Sequence, residues 1–130
     1  MIQASLEVVL SDNRRQQFLS VLTPLLEPTR FEAGCTRCTV WRNTLDERRL
    51  RFMTEWQSAA DLDHYIKSSR FRAVLVAAEL SEETPIVEIH RISETRGFEY
   101  VAKLLDSGSG VTGSGKEGTH KGAAESGRRS

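Results

Sequence analysis

Cysteine, histidine and proline are scarce in this chain of 130 residues, and neither charge sign prevails. Two cysteines exclude a disulfide-stapled scaffold. With no histidine close by in sequence, they supply only half of a four-ligand zinc site, so no metal is expected. Lysine and arginine number 18 against 18 aspartates and glutamates, and this balance excludes the basic excess of a nucleic-acid or membrane-surface binder. No stretch approaches the ~18–20 apolar residues needed to span a bilayer. The start, Met1-Ile2-Gln3-Ala4-Ser5-Leu6-Glu7, lacks the basic residues and apolar block of a secretory signal, so a cytoplasmic location is expected.

Glycine is the unevenly spread residue. Of 9 glycines, all but Gly34 and Gly97 lie after residue 105. Residues 106–130 hold only Val111, Ala123 and Ala124 as apolar side chains, too few to offset the entropy of ordering the segment. The reading is a folded domain over 1–96, a helical extension over 97–105 and a disordered Gly/Ser-rich tail over 106–130. The stretch Gly113-Ser114-Gly115-Lys116 has neither the strand nor the helix that a phosphate loop requires.

Ile2, Ala4, Leu6, Val8 and Leu10 alternate with Gln3, Ser5 and Glu7, a period of two that predicts a strand. Ser11 or Asp12 offers a helix N-cap, and Phe18, Leu19, Leu22, Leu25 and Leu26 recur at helical spacing. Pro24 and Pro28 should kink or divide that helix, and Gly34 should cap it. Two β-rich runs follow, Thr36 to Asn43 and Arg48 to Trp56, joined by a link short enough for a hairpin. Helical stripes return at Ala59, Leu62, Tyr65 and Ile66, then at Phe71, Val74, Leu75 and Ala78. Pro85 opens a last strand, and Phe98, Val101, Ala102 and Leu105 mark a terminal helix.

This order predicts an α+β, ferredoxin-like split βαβ domain: a four-stranded antiparallel sheet with helices on one face. Bulky apolar residues occur with both strand parities (Val40 and Trp41, Phe52 and Met53, Ile86 and Val87). The second face therefore calls for a partner, and a homodimer with packed sheets is expected.

Glu27-Pro28-Thr29-Arg30-Phe31-Glu32-Ala33-Gly34-Cys35 resembles the helix-end pattern E-A-T-R-x-E-x-G-C of the antibiotic biosynthesis monooxygenase domain. Phe18-Leu19, Glu55-Trp56, Asp61-Leu62-Asp63 and Ser68-Ser69-Arg70-Phe71-Arg72 agree with that family in order and spacing. The likeness spans about residues 2–94 and implies a dimeric α/β barrel. It also implies monooxygenation of quinols or other dihydroxy-aromatics without a cofactor. Haem-degrading relatives use an asparagine, a tryptophan and a histidine, whose places here hold Leu6, Tyr65 and Leu75, so haem degradation is not expected. Many simpler members carry two histidines in a stretch A-H-L-x-S-P-H-F, where this chain has Tyr65 and Arg70.

The candidate base is His90, which shares strand parity with Ile86, Glu88 and Ile92; an imidazole beside a carboxylate suits proton transfer near neutral pH. The competing role is a hydrogen-bonded histidine at a sheet edge. Tyr65 and Arg70 would orient oxygen atoms, and Trp41, Trp56 and Phe52 would wall the substrate pocket, although large aromatics on strands are more often ordinary core. Cys35 and Cys38 read as reduced, packed thiols, because three residues apart on a strand they point to opposite faces. His64 reads as a solvated surface residue.

Two functions follow. The first is a small cofactor-independent monooxygenase, a homodimer with a small aromatic molecule and molecular oxygen as its reactants. The second, from another class, is a non-catalytic dimeric module that binds a small hydrophobic ligand or a protein partner.

Overall fold

The structure, a computed structural model, describes residues 1–111. In chain order the elements are β1 (Ile2–Val9), α1 (Asp12–Arg30), β2 (Cys35–Arg42), β3 (Arg49–Trp56), α2 (Ala59–Ile66), α3 (Ser69–Ala77), a 3-10 turn (Ala78–Leu80), β4 (Ile86–Arg91) and α4 (Phe98–Val111). Strands pair antiparallel in the order β2-β3-β1-β4. This is the expected ferredoxin-like arrangement.

The period of two in β1 sets which side is which. Leu6 lies opposite Phe52 on one neighbour and Val87 on the other. Leu6, Val8, Leu50, Phe52 and Cys38 bury against Phe18 and Leu22 of α1 and Val74 and Ala77 of α3. A second cluster joins Ile2 and Trp56 to Leu62 and Tyr65 of α2. The helices α1 to α3 therefore cover one face of the sheet. Gln3, Ser5, Glu7, Arg49, Arg51 and Glu55 have the opposite parity and lie on the helix-free face. There Gln3 donates to Glu55 (3.0 Å), and Glu7 accepts from Arg49 and Arg51 (3.2 Å each). Trp41, Met53 and Ile86 are the larger apolar side chains in this charged lattice.

Three local expectations change. Helix α1 is not divided: Pro24 and Pro28 lie inside it. Each costs about 3 kcal/mol in a helix interior. Pro24 is on the solvent side, where water can hydrate the freed carbonyl, and the buried Phe18 and Leu22 offset the loss at about 1.5–3 kcal/mol each. Gly34 is not the helix cap, which is Phe31; it takes the left-handed conformation (φ 84°) in the turn that enters β2. Finally, a bulge between Cys35 and Arg37 inserts one residue, so Cys35 faces Trp56 and Cys38 faces Thr54. The extra residue resets the parity, and both thiols pack on the helix side rather than on opposite faces.

The chain divides into two compact units, Met1–Ser93 and the part from Glu94 onward. In the second unit α4 continues past residue 105 to Val111, and Arg96 stacks over the Tyr100 ring at 4.3 Å. The rest of the segment expected to be disordered, 112–130, lies outside the described residues. Among the described residues no helix is long and apolar enough to cross a membrane.

Candidate functional site

The sheet separates the residues singled out from sequence into two groups. On the helix side, Ala4, Leu6, Phe52, Tyr65, Phe71 and Ile89 line a narrow apolar cleft between β1, β4 and the helices α2 and α3. Its volume is ≈ 30 Å³, about the share of one water molecule in the liquid. Val87 and Ile89 are about half exposed at its mouth.

Tyr65 is held by α2, whose N-terminus is capped when the Ser58 hydroxyl accepts from Asp61 N. Its ring stacks on Trp56 with centroids 4.9 Å apart and tilts against Phe71 at 5.3 Å. Trp56 is fully buried behind this layer, and its Nε1 donates to Thr54 Oγ1 at 2.8 Å. It therefore supports the wall instead of forming it, whereas Phe52 is in the wall itself.

The Tyr65 hydroxyl is buried without a hydrogen-bond partner. Burial pushes this phenol up to about 12, opposed by the Thr29 hydroxyl, which lies outside hydrogen-bonding geometry and donates to Leu25 O at 2.7 Å. The charged forms of Cys38, Cys35 and Glu32 raise it further. Burial also pushes the Cys38 thiol up to about 11. Tyr65 is thus neutral at physiological pH and can donate a hydrogen bond, but it is no base there.

His90 and Trp41 lie on the helix-free face. His90 is exposed on β4, beside Gln3 of β1 in the register, with Nε2 3.4 Å from Glu88 Oε1. The sheet thus separates it from Tyr65 and Phe52. Trp41 lines a separate open pocket of ≈ 310 Å³ at the β2–β3 hairpin end, together with Glu7, Arg42, Arg49, Arg51 and Met53. Arg70, at the start of α3, is ion-paired with Glu32 in the turn after α1, so its guanidinium is occupied by the protein's own carboxylate. Among the described residues no cluster of three or more His, Cys, Asp or Glu side chains could hold a metal ion.

Sequence reasoning missed Val87 and Ile89 at the cleft mouth, although their parity within β4 was a usable signal. It also missed Glu32 as the partner of Arg70, because nothing local connects positions 38 residues apart.

The profile of the family described as antibiotic biosynthesis monooxygenase matches residues 1–76. An uncharacterized protein of Synechocystis sp. is 22% identical over 85 residues, which is 65% of this chain and 58% of that protein. The chain thus spans little more than half of that relative. A conserved protein from Methanosarcina mazei superposes with a TM-score of 0.65 at 23% identity, covering 69% of this chain and 90% of the other. A structure described as a putative antibiotic biosynthesis monooxygenase from Deinococcus radiodurans gives 0.67 at 13% identity, covering 75% and 97%. At such identities these structures establish the shared fold.

Proposed function

The chain belongs to the antibiotic biosynthesis monooxygenase family, and from that premise we propose that it oxygenates a small dihydroxy-aromatic or quinol in the helix-side cleft, with molecular oxygen as co-reactant. The observation that carries this reading is an apolar cleft whose wall contains a buried, neutral and unpartnered phenol, Tyr65. Apolar walls would exclude water from a radical pair, and the Tyr65 hydroxyl would have a hydrogen bond to offer an oxygen atom.

The overall reaction balances without an external reductant: a hydroquinone and dioxygen yield a hydroxyquinone and water. The ring loses four electrons, dioxygen accepts four, one oxygen atom stays on the ring and the other leaves as water. No imidazole or carboxylate lines the cleft. In this reading the first phenolic proton therefore travels with its electron to dioxygen, and His90 is not the base. Because the cleft holds about one water, the ring enters only as Ile66, Val87 and Ile89 swing outward. A homodimer joined through the helix-free face belongs to the same reading, and sedimentation at micromolar concentration tests it.

The second reading, binding without turnover, is favoured by one observation: Tyr65 is the one titratable side chain in the cleft lining. The two separate in an oxygen electrode with a panel of hydroquinones. Uptake above autoxidation, lost in Val87→Trp and Ile89→Trp but kept in His90→Ala, supports oxygenation in the cleft. Saturable calorimetric binding with no uptake supports the binding module. Loss of uptake in His90→Ala alone would move the reaction to the other face.

A further inference from the structure

Given the proposed binding of the ring in the helix-side cleft, on which this inference rests, we infer that the ligand is an anionic aromatic: a dihydroxy-aromatic ring bearing one carboxylate, which Arg91 and Lys67 hold at the cleft mouth. The walls themselves give a ring little direction. Of their side-chain hydroxyls, Thr54 accepts from Trp56 and Ser5 has the parity of the other face, which leaves Tyr65 alone. In an apolar site a few placed polar groups fix how a ligand enters, so the groups at the rim decide which end goes in first.

Two cations stand at that rim. Arg91 pairs with Ile2 in the register, as Ile89 pairs with Ala4 and Val87 with Leu6, so it shares their helix-side parity. It lies two residues beyond Ile89, about 7 Å along β4, a span that an arginine side chain covers. Lys67 directly follows Ile66, the lining residue at the end of α2. Both are exposed, and among the described residues neither has a carboxylate within ion-pair distance. Asp63 shares the side of α2 that carries Ile66 and Lys67, three and four residues on, yet it pairs with neither cation. Arg70 is occupied by Glu32, and on the helix-free face Glu7 and Glu55 neutralise Arg49, Arg51 and Arg37. Uncompensated positive charge thus meets the cleft at its mouth, beside the edge strand β4 and on the side that a homodimer joined through the helix-free face leaves uncovered. A carboxylate on Arg91 and Lys67 turns the far end of the ring, with its hydroxyls, toward Tyr65. A neutral ring would enter either way round.

The test uses the full chain, with 2,5-dihydroxyphenylacetate and its methyl ester as probes; the methylene insulates the ring from the change of charge. Anaerobic calorimetry should show the acid binding about fivefold more tightly than the ester at low ionic strength, a preference that salt reduces. Arg91→Gln should bring the acid-to-ester ratio close to one, Lys67→Gln should lower it, and Asp63→Asn should raise it. In the oxygen electrode the same ratio should appear in KM, with kcat alike for the two probes. Equal binding of acid and ester by the wild type overturns the proposal, as does a ratio unchanged in both Arg91→Gln and Lys67→Gln. Oxygen uptake from both probes with equal KM removes only the charge recognition and leaves oxygenation in the cleft standing. A salt-sensitive preference for the acid without uptake does the reverse. Saturable binding of neither probe overturns the cleft as the ring's site, and this proposal with it.

Discussion

Tyr65 lies on Trp56 with ring planes inclined by 28°, so that α2 and β3 share one aromatic layer behind the helix-side cleft. The stack buries the Tyr65 ring so deeply that its hydroxyl goes without a partner. A buried hydroxyl lacking its hydrogen bond costs about 1–3 kcal/mol. Tyr65→Phe should therefore leave stability unchanged or raise it by about 1 kcal/mol, read as the urea midpoint. Tyr65→Ala, which removes the ring as well, should cost about 3–5 kcal/mol. If Tyr65→Phe instead lowers stability by more than about 1 kcal/mol, the hydroxyl has a partner in solution.

The same burial predicts a weakness in alkali. Cys38 and Tyr65 are raised from 9.0 to about 11 and from 10.0 to about 12, chiefly by desolvation. Up to about pH 8 both groups are protonated in the folded and unfolded chain, and stability does not depend on them. Above it the unfolded chain releases these protons first, while the folded chain holds them, so stability falls as pH rises. Two units correspond to roughly 2–3 kcal/mol per group, lost between the unfolded and folded values. Urea midpoints measured from pH 8 to 11 should fall steadily, and Cys38→Ala together with Tyr65→Phe should flatten the curve. A flat wild-type curve contradicts the assignment.

How much of this was legible beforehand depends on distance along the chain. The alternation from Ile2 to Leu10 announced β1, and the Phe18/Leu22 spacing announced the buried side of α1, because these signals are local. Parity also grouped His90 correctly with Ile86 and Glu88. Which parity faces the helices was not readable, since β4 is apolar on both sides and only the pairing of Leu6 with Val87 decides it. The bulge at Cys35 carries no compositional mark, yet one inserted residue moved a thiol from one face to the other. Arg70 was expected to orient a substrate oxygen because its partner, Glu32, is distant in sequence.

Gly34 is fixed by two constraints that act together. Its φ of 84° is one that other residues adopt at a cost of about 1–2 kcal/mol, and a Cβ there would run into the Asp61 carboxyl group. Asp61 in turn accepts from the Ser58 hydroxyl at 2.9 Å while its own N–H donates to that hydroxyl, the link that starts α2. Gly34→Ala should cost about 2–3 kcal/mol, the strain plus part of the helix cap. In an Asp61→Gly background, which also removes the Asp61 Cβ, the clash is gone, and the same change should cost only about 1–2 kcal/mol. Equal costs in both backgrounds would show that backbone strain alone is at work.

Glu32 and Arg70 tie the turn after α1 to the start of α3, beside the Tyr65 and Phe71 layer. The Glu32 side chain is 14% exposed and that of Arg70 40%, so water screens the pair in part. A coupling of about 1 kcal/mol is expected from a double-mutant cycle with Glu32→Gln and Arg70→Gln, the upper end for pairs open to solvent. The cycle also separates the two roles open to Arg70. If its work is to hold α3 against the turn, Arg70→Gln and Glu32→Gln should lower the urea midpoint alike, and adding the second change should cost little more. Any ligand of the cleft should then weaken equally in both variants. If Arg70 instead leaves Glu32 to hold an anionic group, Arg70→Gln should weaken ligand binding while Glu32→Gln, by freeing the guanidinium, should strengthen it. The structure favours the first outcome, because the Glu32 carboxylate is paired with the Arg70 guanidinium.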